Sequence, residues 1–530
     1  MYILSRLPHH ISLPALARFI LLLPYLCLLC FPEALAEPLS VNPLKGADSE
    51  TCGMTLQVPC KTIQYALHNR KATALSLSPS VFNESSVLIS DIPKLIINGT
   101  IGTVFDCSLR TNLSGLSDPA FIFSNATVVI SHLTFQNCTN LRVADGVGGA
   151  LSATSSNLNI SDCFFFNNVA QIGGAIGAIF SKLVVSSSVF QSNTATCPNS
   201  TSMSQVCSAW GGAIGTIEAQ EIAVIGCSFV SNMVNLVFVG VTNPNSASAG
   251  GGGCISVMHK GNVSESHIDI DGNTFAGCLV KMFGLNSSLT AGIQYGNTYG
   301  GAVSVYYGRS ALFAVNVVNV ATSFSNNRCF NSGIVSSVGV SGNAYGGCLS
   351  VYAGAWNVNM QSHASLSSVY VSRMQMIISS NNIVNCSAVM KSSSWSSSGN
   401  VYGGAISVYL GHCVVGRSSS TVSGNTIVTD SVYLLKSNAL FGCNSSSITS
   451  GAQNEGIGSF GANVYGGGVS LVVGSYSLSF DNSEGETDSS NSTVLGSTAV
   501  TNTSYIITDN TFIDCAVVSS VSGLEKSGGD

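Results

Sequence analysis

The residues best suited to chemistry lie in the stretch "HIDID", where His267, Asp269 and Asp271 alternate with Ile268 and Ile270. On an extended strand such alternation puts the imidazole and both carboxylates on one face and the isoleucines on the other. That set could hold a divalent cation, or supply a general acid and base. A solvated outer face of an ordinary strand would show the same pattern. The continuation "DIDGN" lacks the later Glu of a helix-loop-helix calcium site.

Elsewhere the signals for chemistry are thin. No acidic residue lies between Asp271 and Asp430, which excludes a carboxylate pair within that part of the chain. The histidines His68, His132, His259, His363 and His412 fall in unrelated stretches, and no Ser/His/Asp constellation emerges. "GIGSFG" at Gly456–Gly461 matches a phosphate-binding spacing without the strand and helix that would give it meaning. No zinc-type cysteine pairs occur, and no cofactor is expected. These residues favour a non-enzymatic protein.

What must position such residues is a repeat. The tetrad Gly-Gly-small-aliphatic starts at Gly148, Gly173, Gly211, Gly252, Gly300, Gly346, Gly403 and Gly466. An apolar residue three before an asparagine follows each tetrad, giving Asn168, Asn193, Asn232, Asn273, Asn327, Asn381, Asn425 and Asn510. A core unit of near-constant length with optional insertions is the signature of a solenoid. Its tightest copy, from Gly148 to Ile172, alternates like strands and has no helical period.

One coil of short strands cannot bury its own apolar face, so coils must stack about 4.8 Å apart. The fold class expected is therefore all-β, a parallel β-helix with long lateral loops. Gly-Gly would form a corner, and the asparagines a hydrogen-bonded ladder. In "AISVY", Ile406 and Val408 are expected inside, with Tyr409 on the opposite face. Tyr299, Tyr345, Tyr402 and Tyr465, each preceding Gly-Gly, would stack into a ladder that packs coils together or, alternatively, grips a sugar ring. "TCGMTLQVPCKTIQYALHN" contains the one good helix, expected to cap the open end.

The compartment is legible too. Arg6 and Arg18, the apolar run from Phe19 to Phe31 and "ALA" ending at Ala36 have the layout of a secretory signal. Sixteen cysteines remain after its removal, with Cys52 and Cys60, and Cys197 and Cys207, the disulfide candidates. Thirteen N-x-Ser/Thr sequons suit a glycoprotein, although composition alone would give about ten. The formal charge of -6, with basic residues scattered singly, argues against nucleic acid as a partner. The segments expected are residues 1–36 as signal peptide, 37–130 as N-terminal cap and first coils, 131–515 as repeat β-helix with Ser-rich insertions, and 516–530 as a truncated or uncapped end.

The phrases "GGAI" at Gly173 and Gly211, with "FFNN", "FQSN" and "FVSN", resemble the repeat of chlamydial polymorphic outer membrane proteins over roughly residues 130–515. "PCKTIQYAL" resembles the start of pectin-lyase-like domains. These resemblances imply a right-handed β-helix and a surface-displayed adhesive passenger; the lateral loops, gathered on one side of a rigid scaffold, are expected to bind an extracellular glycan, matrix or protein ligand. Membrane or wall anchoring would come through a missing C-terminal region. β-Helix lyases and hydrolases act on pectin-like polysaccharides with clustered Asp and Arg or Lys, so a polysaccharide lyase or hydrolase is the enzymatic alternative. A structural wall or coat component is the third.

Overall fold

The computed structural model describes residues 37–522 apart from 56, 85, 110–117, 142–145, 198–207, 240–246, 286–294, 310–314, 338–342, 360–364, 367, 393–399, 418–421, 424, 451–463, 474–475, 481–493 and 496. One coil is enough to describe the winding. After Gly148 and Gly149 the chain runs through strands Leu151–Thr154, Asn157–Ser161, Phe164–Phe166 and Val169–Ala170 before the next Gly-Gly. Each strand pairs in parallel with its equivalent one coil on: Leu151 with Ile176, Asn157 with Lys182, Phe164 with Val189, Val169 with Thr194. The resulting sheets have 11, 12, 11 and 9 strands among the described residues, all paired in parallel. We number them sheets 1 to 4 in that order along the coil. The protein is an all-β parallel β-helix.

Inward-pointing residues build a continuous core. Phe105, Phe135, Phe165, Phe190, Phe229 and Phe275 stack coil on coil with ring centroids 4.7–5.2 Å apart. That spacing is close to the distance between neighbouring strands, so each ring rests on the one beneath.

The eight leading glycines all have positive φ, +66° at Gly173 for example. A Cβ on Gly174 would lie 2.1 Å from the carbonyl oxygen of Gly212 and 2.7 Å from the main chain of Thr194. Here the corner meets both the next coil and the start of sheet 4. The first glycine turns the chain, and the second lets two stretches of backbone pass in contact.

The lateral insertions form structure of their own. Between sheet 4 and the next Gly-Gly, strands such as Tyr295–Tyr299, Ala344–Tyr345 and Val401–Tyr402 make a six-stranded sheet 5. Sheet 5 covers the outer face of sheet 1. The expectation that only one face of "AISVY" is buried is therefore corrected. Ile406 and Val408 are in the main core, while Tyr409 is 1% exposed in a second apolar layer. Tyr299, Tyr345 and Tyr402 stack 5.0 and 4.9 Å apart, and Tyr306, Tyr352 and Tyr409 form a parallel column at 5.2 Å steps. The two columns meet edge to face, as at Tyr345 and Tyr352. Burial removes Tyr299, Tyr345 and Tyr402 from a sugar-gripping role in this structure, where they pack coils together; Tyr465 stacks on Tyr402 at 5.0 Å and is 39% exposed. A second series of insertions, between sheets 1 and 2, adds five- and three-stranded sheets.

Stacked asparagines follow two corners instead of one. At the corner after sheet 3, Asn168 donates to Asn193 and Asn193 to Asn232, each at 2.9 Å. At the corner after sheet 2, Asn273, Asn327, Asn381, Asn438 and Asn510 form the ladder, with steps of 2.8–3.2 Å. Asn425 belongs to neither. It is exposed and accepts hydrogen bonds from Ser497, and Asn438 takes the ladder position in its coil. Both corners use the same local geometry, a positive-φ residue followed by a buried one, as in Asn167–Asn168 and Gly272–Asn273. Sequence spacing alone cannot separate them.

At the N-terminal end a short helix, Ile63–His68, buries Ile63, Ala66 and Leu67, and the Thr62 hydroxyl accepts the Tyr65 N–H. Cys52 and Cys60 are bridged, as are Cys107 with Cys138 and Cys254 with Cys278. Cys197 is disulfide-bonded, and Cys207 lies outside the described residues.

Candidate functional site

His267, Asp269 and Asp271 lie on one strand of sheet 2, with Ile268 and Ile270 in the core. Asp271 accepts a hydrogen bond from the Asn326 amide at 2.6 Å. The strand on one side offers Glu221, Ala223 and Ile225 at the paired positions; the other offers Ala321, Ser323 and Ser325. Glu221 is itself engaged by Lys182 at 3.3 Å. Residues two apart on a strand are about 6.8 Å apart, so converging on one cation would require the flanking coils to contribute ligands. Among the described residues, the three-residue set with ligand atoms all within 4.8 Å of one another is Cys329, Cys348 and Cys386, and not this one.

The structure assembles a polar trio that spacing did not suggest. The Ser266 hydroxyl and His259 Nε2 are 3.3 Å apart, and His259 Nδ1 lies 3.4 Å from a Glu218 carboxylate oxygen. The order Ser, His, acid is that of a nucleophile, base and orienting group. Both Ser266 and His259 are 3% exposed, and the imidazole stacks on Tyr307 with centroids 5.3 Å apart. A reacting carbonyl must come within about 3 Å of the nucleophile, and these two side chains face the packed interior. In this state the trio is a hydrogen-bonded corner. The His259 hydrogen bond holds the Glu218 carboxyl below the usual carboxylate range, against the opposing effect of burial. Glu218 comes from the preceding coil, which is why no local motif revealed it.

The outer surface offers a more accessible site where sheet 1 turns into sheet 2. A groove of about 400 Å³ is lined by Asp91, Ile92, Pro93, Asn125, Thr127, Ser155 and Asn157, with Ala126 beneath. Asp91, Asn125 and Ser155 hold the same left-handed corner in three successive coils, with φ of 56°, 50° and 50°. Stacking therefore repeats a polar side chain at each step. The Asn125 amide donates to Asp91 at 2.8 Å, and the Asn157 amide to the Thr127 hydroxyl at 3.4 Å. Carboxylate and carboxamide groups in a row can accept from and donate to neighbouring hydroxyls of a sugar.

No family model matches the chain, and no curated protein sequence matches it. A comparison of structures finds similarity to the crystal structure of PfbA, a surface adhesin of Streptococcus pneumoniae, at 9% identity and a TM-score of 0.22, covering 73% of this chain and 85% of that one. At that score the likeness carries no argument about what this chain binds.

Proposed function

We propose that this protein is a non-enzymatic secreted or cell-surface β-helix protein that binds an extracellular glycan on its outer face. The observation that carries the reading is the corner groove, where Asp91, Asn125, Thr127 and Asn157 present hydrogen-bonding groups on a rigid stack of coils. A rigid frame limits the ordering cost of binding, so a modest set of polar contacts can still yield useful affinity. Disulfides at Cys52–Cys60, Cys107–Cys138 and Cys254–Cys278 agree with an oxidising, extracellular setting. The resemblance of the Gly-Gly and Phe-x-x-Asn phrases to polymorphic outer membrane protein repeats agrees with surface display.

Asn125 heads the sequon Asn-Ala-Thr, so an N-glycan there would itself fill the groove. The test accordingly uses protein expressed without N-glycosylation, in an oxidising bacterial periplasm, so that the Asn125 amide is intact. Its retention on immobilised polysaccharides is compared with that of the double variant Asp91→Ala, Asn157→Ala. Retention weakened by about tenfold or more, the loss of roughly two hydrogen bonds, supports the groove as the binding site. Undiminished retention places binding elsewhere.

A further inference from the structure

Three buried cysteines meet in the core where sheets 1, 3 and 4 approach one another. The sulfurs of Cys329, Cys348 and Cys386 lie within 4.8 Å of one another, and those of Cys329 and Cys386 are 3.5 Å apart. All three are 0% exposed.

Their places in the repeat are informative. Cys348 follows Gly-Gly as Cys254 does two coils earlier: the Cys254 N–H donates to the Ala302 carbonyl, and the Ala302 N–H to that of Cys348. Cys386 occupies the same corner as Cys278 two coils earlier. The residues that follow each corner pair in register, Leu279 with Gly333 and Gly333 with Ser387. Cys254 and Cys278 are bridged across one coil, with Cα atoms 5.5 Å apart. Cys348 and Cys386 thus fill, within a single coil, the two positions that a disulfide already links in an equivalent coil. Cys329 belongs to the intervening coil, where it stands in sheet 3 between Phe275 and Ile383 in place of a bulky apolar side chain.

We infer that Cys348 and Cys386 form a disulfide in the secreted protein and that Cys329 remains a buried thiol against it. Two thiols lose two protons and two electrons to a disulfide oxidant of the secretory compartment, such as oxidised glutathione, which takes both up and leaves as two molecules of reduced thiol. Metal binding by the same trio is disfavoured physically. Three thiolates around a monovalent or divalent cation leave net negative charge in a core of aliphatic side chains, whereas a disulfide is neutral.

The experiment is a disulfide map of the full chain expressed through an oxidising compartment. Free thiols are blocked with iodoacetamide in guanidinium, glycans are removed, and the protein is digested with trypsin and chymotrypsin without reduction. Cleavage after Phe330 separates Cys329 from Cys348, and cleavage after Arg373 separates Cys348 from Cys386. The expected result is a linked pair of peptides containing Cys348 and Cys386, with Cys329 alkylated, and the same linkage in C329S. A Cys329 linkage to either partner would overturn the inference. So would alkylation of all three cysteines, with or without a metal found by elemental analysis.

Discussion

The side-chain oxygen of Asn232 accepts two hydrogen bonds from Asn193, one from its main-chain N–H at 2.9 Å and one from its amide group at 2.9 Å. Asn193 treats Asn168 in the same way, and its own amide also donates to the carbonyl of Phe165 at 3.1 Å. Each asparagine thus replaces the strand pairing that the corner interrupts, so the coil needs no water there.

Removing one rung should be costly. Asn193→Ala leaves buried main-chain and side-chain groups of its neighbours unpaired, at about 1–3 kcal/mol for each group so exposed. We expect a clear fall in the thermal midpoint. Asn425→Ala, at an exposed site off both ladders, should change stability by no more than about 0.5 kcal/mol. Equal effects from the two substitutions would show that the ladders do not matter to stability.

The Gly-Gly corner can be tested by comparing a crowded glycine with an uncrowded one. Gly174→Ala would drive a methyl group to 2.1 Å from the Gly212 oxygen. This forces backbone apart, and the variant is expected to fail to accumulate or to lose more than about 3 kcal/mol. Gly226, at φ +61°, has nothing within 4 Å of an added Cβ, so Gly226→Ala should cost only about 1–2 kcal/mol for its left-handed backbone. Secretion yield and thermal midpoints of the two variants decide the matter.

Much of this architecture could be read from the chain. The eight tetrads beginning at Gly148 and the Phe165-type residues specify coils, and Ile406 and Val408 are interior as alternation requires. What spacing could not convey is that Tyr409 is also buried, because the sheet that covers it comes from insertions whose pairing partners lie in other coils. The phrases "NTYGG" and "NAYGG" carry a related signal. There the asparagine two residues before each tyrosine donates to the phenol oxygen, Asn297 to Tyr299 at 3.0 Å and Asn343 to Tyr345 at 3.1 Å. Their amide groups give the buried phenol oxygens a polar partner within the apolar layer. The groove at Asp91 was not legible because it is assembled from single residues of successive coils.

Acid should reveal the Glu218–His259 contact. The folded-state pKa of Glu218 is depressed below the ordinary glutamate value of 4.5, chiefly by the hydrogen bond from His259. Stability from a depressed carboxyl is present above the unfolded value and is lost as pH falls through the folded one. Glu218→Gln should therefore lower the thermal midpoint at neutral pH, and the difference from the parent protein should shrink as pH falls below about 4.5. A difference that stays constant down to pH 3 would contradict the assignment.

Thiol chemistry gives another check. Burial pushes the Cys163 thiol up to about 12 and the Cys227 thiol up to about 11. At pH 8 neither should react with iodoacetamide in the native protein over hours, and both should react within minutes once guanidinium unfolds it. Rapid native labelling of either would mean that the core opens at that coil.

The most direct test of the proposed function is to incubate the purified protein, expressed without N-glycosylation, with a panel of soluble and immobilised polysaccharides, with and without calcium, scoring retention and product release together. The account predicts retention on at least one polysaccharide with no shorter chains released. Release of shorter chains, abolished by Asp269→Ala or Asp271→Ala, would contradict it and make this protein an enzyme.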